Sequence, residues 1–348
     1  MASSQSALRQ TRLQRPGVPL LVPGVQANPD VGHGAGVARP LATLAHGAYA
    51  GRLPSGQLFL QHGPVNLVVF VDADAKTVHM AEDSLMATFP YWLGALVAEL
   101  PLLRTQVSEL DQPLRSEIGC AMLAAAAPFA DEFVTPMAAV AGAIADAAVA
   151  TIGRVPNVRR AFVNNGGDIA LFLADGTSLE IGLATTDKVA AEAATSDTHG
   201  VVGTLTVDAS SSIRGIATSG WRGRSMSLGV ADAVTVLATT AARADAAATV
   251  IASATDVETT AATRVPANTL DDDSDLGERL VTQQVGKLQT EECRAALSAG
   301  KKLAQAAYAR GHILGATLHV QSEWAAVGTP TTPLSGALSH PQCKENFS

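Results

Sequence analysis

Residues 218–249 read TSGWRGRSMSLGVADAVTVLATTAARADAAAT, and the rest of the chain is arranged around this stretch. Thr218, Ser219 and Gly220 read as the end of a strand, followed by a loop with Arg222, Arg224 and Ser225. The β-branched run VTVL at 234–237 reads as a second strand, and an alanine-rich helix carrying Asp245 and Thr249 comes next. Four residues are about one helical turn, a rise of roughly 6 Å, so these two side chains share a face. Their neighbours Ala244, Ala246, Ala247 and Ala248 present only methyl groups. A carboxylate and a hydroxyl set among methyls are open to close approach by a ligand or a hard cation. The pair also has a plainer use. An aspartate near a helix start complements the dipole, and a helical threonine bonds back to its own backbone. Spacing alone leaves both uses open.

Upstream of this stretch lies a run of short strands with turn signals. Residues 160–163 lead into Asn164, Asn165, Gly166, Gly167 and Asp168, and 169–173 leave it. Asp175-Gly176 closes a hairpin to 179–183, and 201–207 and 213–219 follow, so the pairings should be mostly antiparallel. The NNGGD segment is either a glycine-rich backbone that admits a ligand and offers N–H groups to an anion, or a tight hairpin with Asn165 and Gly166 at positive φ. It is neither a Rossmann nor a P-loop fingerprint, because a strand and not a helix follows the glycines. Residues 187–199 read as a polar interruption. Arg222 and Arg224 could hold a phosphate or carboxylate by charge-assisted bonds, or stand solvated.

Nearer the N-terminus, 58–60 and the almost wholly apolar 65–71 read as strands, the second buried on both faces. From Ala81 the period turns helical, with Pro90 and Pro101 expected to break it into two pieces and with Tyr91 and Trp92 as core or groove lining. Residues 118–127 form a small-residue helix. Thr135-Pro136 reads as an N-cap with proline at the first helical position, opening a helix over 137–152 that contains Gly142 and Asp146. A glycine there costs about 1 kcal/mol against alanine, which points to close packing or to ligand approach. The acidic run at 271–275 fails as a calcium loop, since its glycine is one place late and Thr282 stands where a glutamate belongs. A closing helix over 289–310, stopped by Gly311, and a last strand over 313–321 complete the reading.

Composition bounds the function. The 348 residues are 47% apolar and 16% charged, with a formal net charge of −8 and 4% aromatics. No basic stripe with interleaved aromatics is present, which argues against a nucleic-acid partner. Cys120, Cys293 and Cys343 are odd in number and far apart, so neither a disulfide framework nor a zinc site is indicated. No uninterrupted apolar run reaches the ~18 residues of a membrane span. Prolines break the short apolar piece near the N-terminus, and the expectation is a cytoplasmic protein. Residues 1–28 read as a flexible arm, 29–327 as the folded domain, and 328–348 as a flexible tail whose Ser339-His340-Pro341-Gln342 resembles part of a streptavidin-binding tag.

Six segments, in order, carry a family resemblance: QHGPVNLVV at 61–69, TPMAAVAGAIAD at 135–146, VNNGGDIAL at 163–171, TSGWRGRSMSLGVADAVTVLA at 218–238, ADAAATVIA at 244–252 and LDDDSDLGERLVT at 270–282. Together they resemble the ApbE-like superfamily of flavin transferases, and most of all its UPF0280 branch. The resemblance implies an α+β fold, a mostly antiparallel sheet flanked by helices around a single interwoven core. ApbE proteins take FAD and magnesium (Mg2+) and move FMN onto a Thr or Ser of a partner protein, and others in the group hydrolyse FAD. By resemblance Asp245 and Thr249 would be the magnesium ligands. Asn165, Gly166, Gly167 and Asp168, with Thr218, Ser219, Gly220 and Ser225, would border the dinucleotide, and Arg222 and Arg224 would hold its phosphates. Two departures stand out. The family's SHIIDP segment is replaced by Ser225 to Gly229, without its histidine, and the AKGYAVD segment appears at 141–146 without its lysine. The expected function is magnesium-dependent binding, cleavage or transfer of a flavin nucleotide or similar pyrophosphate cofactor. The alternatives are a non-catalytic accessory protein in cofactor biosynthesis and a heterocycle-binding subunit of a redox enzyme. A protein acceptor and a homodimer are compatible with all three.

Overall fold

The computed structural model describes residues 39–183, 203–223 and 225–328. The expected arm at 1–28, most of the tail, the polar interruption at 187–199 and Arg224 fall outside them.

Strand formation follows the hydrophobic pattern. β1 (Arg39–Thr43), β2 (Tyr49–Arg52), β3 (Leu58–His62) and β4 (Val65–Asp72) pair in sequence, and β5 (Arg160–Asn165) and β6 (Asp168–Leu173) follow β4 in the same sheet. β7 (Ser178–Leu183) and β8 (Gly203–Asp208) form a separate pair. β9 (Gly215–Ser219), β10 (Ala233–Ala238), β13 (Gly315–Val320) and β14 (Glu323–Val327) complete a ten-stranded sheet in the order β1-β2-β3-β4-β5-β6-β9-β10-β13-β14. Every pairing in it is antiparallel. β11 (Ala262–Pro266) and β12 (Leu280–Val285) make a small third pair.

Side chains alternate across the sheet, and each face finds its own cover. In β5, Ala161 and Val163 join the apolar cluster under the helices, while Phe162 joins the cluster beneath the β7–β8 pair. β6 divides likewise, with Ala170 and Phe172 on the first side and Ile169 and Leu171 on the second. Two apolar faces explain why β4 is an almost unbroken hydrophobic run, as expected.

Helices α1 (Ala75–Val97), α2 (Leu100–Leu103), α3 (Glu117–Ala126), α4 (Val140–Gly153), α5 (Ala241–Ser253) and α6 (Thr290–Ala309) supply the other layer. α4 and α5 lie against each other and against the central strands; α1 packs on α4, and α6 covers β13, β14 and part of α5. The alanines of α5 tie the layer into one core. Ala241 and Ala246 belong to one large apolar cluster, and Ala244, Ala247 and Ala248 to the next. The α+β class and the interwoven core are as the sequence led us to expect.

Several boundaries differ from expectation. α1 starts at Ala75, not Ala81, because its onset is set by a cap rather than by burial: Asp74 Oδ1 accepts from Thr77 N at 3.1 Å. It runs through Pro90 without a break, and the interruption falls instead before Leu100. Tyr91 is exposed, its ring set edge-on to His46, while Trp92 packs edge-on to Phe89 in the core. β13 is not the last strand, and β1, β2, β11, β12 and β14 add to the reading. The 18-residue segment Pro136–Gly153 has a mean hydropathy of 1.5, apolar enough on average to cross a membrane. Half of it is buried inside the fold, and its Asp146 accepts backbone hydrogen bonds there, as befits a core helix.

Candidate functional site

α4 and α5 meet at their first turns, running in opposite senses, and each caps the other. Asp146 of α4 accepts from Ala241 N at 2.9 Å through Oδ1 and from Ala242 N at 2.8 Å through Oδ2. Asp245 of α5 accepts from Gly142 N at 3.0 Å through Oδ2. The leading N–H groups of a helix lack partners within it and carry the positive end of its dipole, so a carboxylate there satisfies both needs. Gly142 makes the approach feasible. A Cβ on it would lie 2.3 Å from Ala241 O. Close helix packing is therefore the role the structure gives this glycine.

Burial sets the chemistry of both carboxyls. Removal from water pushes Asp146 up to about 6, against the lowering pull of the Ala242 and Ala241 amides and the Thr240 hydroxyl. It pushes Asp245 up to about 7, opposed by the Gly142 and Ala141 amides and reinforced by the charge of Asp146. One turn beyond Asp245, Thr249 Oγ1 is buried and has no hydrogen-bond partner. A buried hydroxyl without a partner is costly and uncommon.

The asparagine-glycine hairpin reaches this pair through one peptide group. Asn165 Nδ2 donates to Ala141 O at 3.0 Å, and the N–H of the same peptide unit, on Gly142, donates to Asp245. The turn is held by Asn164 Oδ1, which accepts from Gly167 N at 2.8 Å. Its left-handed residues are Gly166 (φ 69°) and Gly167 (φ 117°), not Asn165, which remains in the strand. Asp168 pairs with Asn165 across the hairpin.

The other expected site residues that the structure describes gather around the end of β9. Thr218 is exposed and its hydroxyl meets that of Thr235 at 2.9 Å. Ser219 is buried, its Oγ 3.2 Å from that of Ser225. Gly220 is packed against the backbone of Asp232, where a Cβ would come within 2.5 Å of the carbonyl oxygen. Arg222 lies over the Trp221 ring at 4.6 Å and 3.8 Å from Asp232 Oδ1. It lines a cleft of about 610 Å³ together with Asp232, Lys287, His319, Gln321 and Gly286, and neither Asp245 nor Thr249 is among the cleft's walls. The structure thus joins Asn165 to Asp245 and Ser219 to Ser225, and directs Arg222 to Asp232. Sequence reading assigned no role to Asp146, Asp232, Lys287 or His319. The first two betray themselves only through partners remote in sequence.

Among the described residues, no three His, Cys, Asp or Glu side chains converge as a metal cluster would. The donors at Asp245 and Thr249 nevertheless fit magnesium in kind. Both are hard oxygens, the Thr249 hydroxyl is unpartnered, and magnesium commonly takes one or two protein oxygens and completes its shell with waters and phosphates.

Comparison with known proteins gives three findings. The family described as AbpE bacteria matches residues 50–327. The UPF0280 protein MK0206 of Methanopyrus kandleri is 39% identical over 139 residues, 40% of this chain and 49% of that protein. The chain thus matches about half the length of that curated relative. The apo form of the flavinyl transferase ApbE of Pseudomonas stutzeri superposes with a TM-score of 0.38 and 14% identity, covering 83% of this chain and 96% of the other.

Proposed function

Since the chain belongs to the AbpE bacteria family, matched from residue 50 to residue 327, we propose that it binds a flavin nucleotide or similar pyrophosphate-bearing cofactor with magnesium, and cleaves or transfers it. The observation that carries this reading is the Ala141–Gly142 peptide, bonded on one side to Asn165 and on the other to Asp245. It makes the glycine hairpin, the start of α4 and the Asp245–Thr249 pair one continuous structure.

In this reading Asp245 and Thr249 hold the cation, which supplies positive charge to the phosphate oxygens. Gly166 and Gly167, without side chains, let the backbone approach the ligand closely. Asn165 fixes the start of α4, and with it the distance between hairpin and carboxylate. Ser219 and Ser225 present hydroxyls at the β9 end, with Thr218 and Gly220 beside them, and Arg222 and Arg224 supply cations for the phosphates. A transfer reaction would deliver FMN to a hydroxyl of a protein acceptor.

Purified protein incubated with FAD should release AMP or FMN, or attach FMN to an acceptor, only when magnesium is present. Absence of turnover together with absence of any FAD-induced thermal shift would overturn the proposal. A second reading, a non-catalytic accessory protein of cofactor biosynthesis, draws on Asp245 already serving as a helix cap with its pKa raised. FAD binding without turnover would favour it.

A further inference from the structure

The two ends of the ten-stranded sheet are finished differently. β1 carries Arg39 and Pro40, and its register with β2 shifts between Pro40 and Ala42. Charge, proline and a bulge are the usual means of blunting an edge against further pairing. β14 lies at the other end, and among the described residues no strand lies beyond it. Its sequence EWAAV has no proline and no lysine, and it keeps register with β13 throughout. Its one charge, Glu323, is ion-paired to Arg294 of α6 at 3.4 Å.

The backbone groups that this edge leaves open follow from the turn before it. Gln321 and Ser322 form a two-residue turn between β13 and β14, with Gln321 at φ 53°. In such a hairpin the flanking pair, here Val320 and Glu323, exchanges hydrogen bonds, and the pattern alternates along the ladder. Glu323, Ala325 and Val327 therefore turn their backbone groups to β13, while those of Trp324 and Ala326 point away from the sheet. Exposed apolar side chains flank this edge on both faces. Trp324, 53% exposed, stands with exposed Ala326 on the open face. Tyr308 of α6, 43% exposed, stands on the helix-covered face against Gly328, where a Cβ would lie 2.8 Å from its ring.

We propose that β14 is an interface between two copies of this chain, pairing antiparallel with itself about a two-fold axis at Ala325. That register sets the outward groups of Trp324 opposite those of Ala326 of the second copy and closes four hydrogen bonds. It also places a bulky side chain against a small one, twice, as a self-complementary contact requires. Glu323 falls opposite Val327, so the two glutamates lie at opposite ends and do not repel. On the helix side, Arg294 marks the Glu323 end of α6 and Tyr308 the Gly328 end. The same axis brings the guanidinium of one copy towards the ring of the other, an attractive pair. Two short strands alone fall below the about 800 Å² per partner of a standard interface, and Trp324 and Tyr308 supply the apolar area that extends it. A second copy fits better than a foreign strand because the edge matches itself in size, charge and hydrogen bonding. The inference is independent of the flavin chemistry proposed above.

Sedimentation velocity and light scattering on the full chain test it, the expected result being a concentration-dependent species of twice the chain mass. Ala326→Pro removes an outward N–H from each copy and should weaken association at least about tenfold. Trp324→Ala should weaken it too, whereas Leu41→Ala, exposed on the blunted β1 edge, should not. Circular dichroism checks folding, and the exposed Trp324 decides the matter if Ala326→Pro does not fold. Ala325→Cys should form a disulfide between the two substituted positions on mild oxidation, since directly opposed residues without mutual hydrogen bonds lie about 4.5 Å apart. Peptide mapping separates that bond from any made by Cys120, Cys293 or Cys343. A chain that stays monomeric at every concentration overturns the proposal. A dimer that the folded edge variants leave intact, or that does not cross-link at position 325, overturns it as well, because the second copy then sits elsewhere.

Discussion

Gly142 is a position where a single methyl group should separate two helices. Alanine is the better helix former by about 1 kcal/mol, yet its Cβ would sit 2.3 Å from the Ala241 carbonyl oxygen, a backbone atom with no rotamer to change. Gly142→Ala is therefore expected to destabilise by about 1–3 kcal/mol or more, despite the gain in propensity. Gly94→Ala, exposed on α1 with nothing near its Cβ, should stabilise slightly. Urea unfolding of the two variants checks the contrast. Thr249 gives an opposite test. Its hydroxyl is buried and unpartnered, so Thr249→Val should leave the magnesium-free protein as stable as the parent, or more so. If Thr249 holds the cation, the same variant should lose the magnesium-induced rise in Tm. An unchanged rise would remove Thr249 from the metal site.

Between α4 and α5 the decisive interactions are carboxylates acting on another helix's amides. Asp146→Ala frees two buried N–H groups at the start of α5, at a cost of about 1–3 kcal/mol each when left unsatisfied. The loss should appear as a lower unfolding midpoint and as faster amide exchange in the first turn of α5. Thr240→Ala should cost less, about 1 kcal/mol, because its hydroxyl caps one amide, Arg243 N, where Asp146 holds two. This reciprocity could not be read from the sequence. Asp146 lies 95 residues from Ala241, and an aspartate in an alanine-rich helix looks the same whether it faces solvent or another helix. The α5 helix, the β5–β6 hairpin and the doubly buried β4 were legible, because period, turn chemistry and apolar run agreed at each. β11, β12 and β14 were not. They are short and mixed in exposure, β14 alternating with Trp324 and Ala326 outward, and although the acidic run at 271–275 reads as a solvated turn, no clear apolar alternation marks the strands on either side of it. Pro90 misled because a proline in a long helix can be tolerated when the surrounding packing is dense, and it is buried here.

For the molecule as a whole, the two aspartates make stability depend on pH. A carboxyl with a higher pKa in the folded protein than in the unfolded chain contributes stability that is fully present below its unfolded value. That contribution is lost as the pH rises through the folded value. From an ordinary 3.8, Asp146 is raised to about 6 and Asp245 to about 7. The metal-free protein should therefore lose stability between about pH 4 and pH 7, with the lowered His319 offsetting part of the loss. A cation ligand must be deprotonated, so magnesium should raise Tm more at pH 8 than at pH 5.5. Scanning calorimetry at the two values, with and without magnesium, reads both effects. Equal shifts at the two values would argue against Asp245 as a ligand.

Asp146 and Asp245 each belong to one helix by covalent bond and to the other by hydrogen bond. Neither rod can slide, tilt or fray without tearing a charge from its neighbour's amides. The crossing should therefore move as one body, with a displacement of the hairpin passing to one rod through Asn165 and on to the other through the Gly142–Asp245 bond.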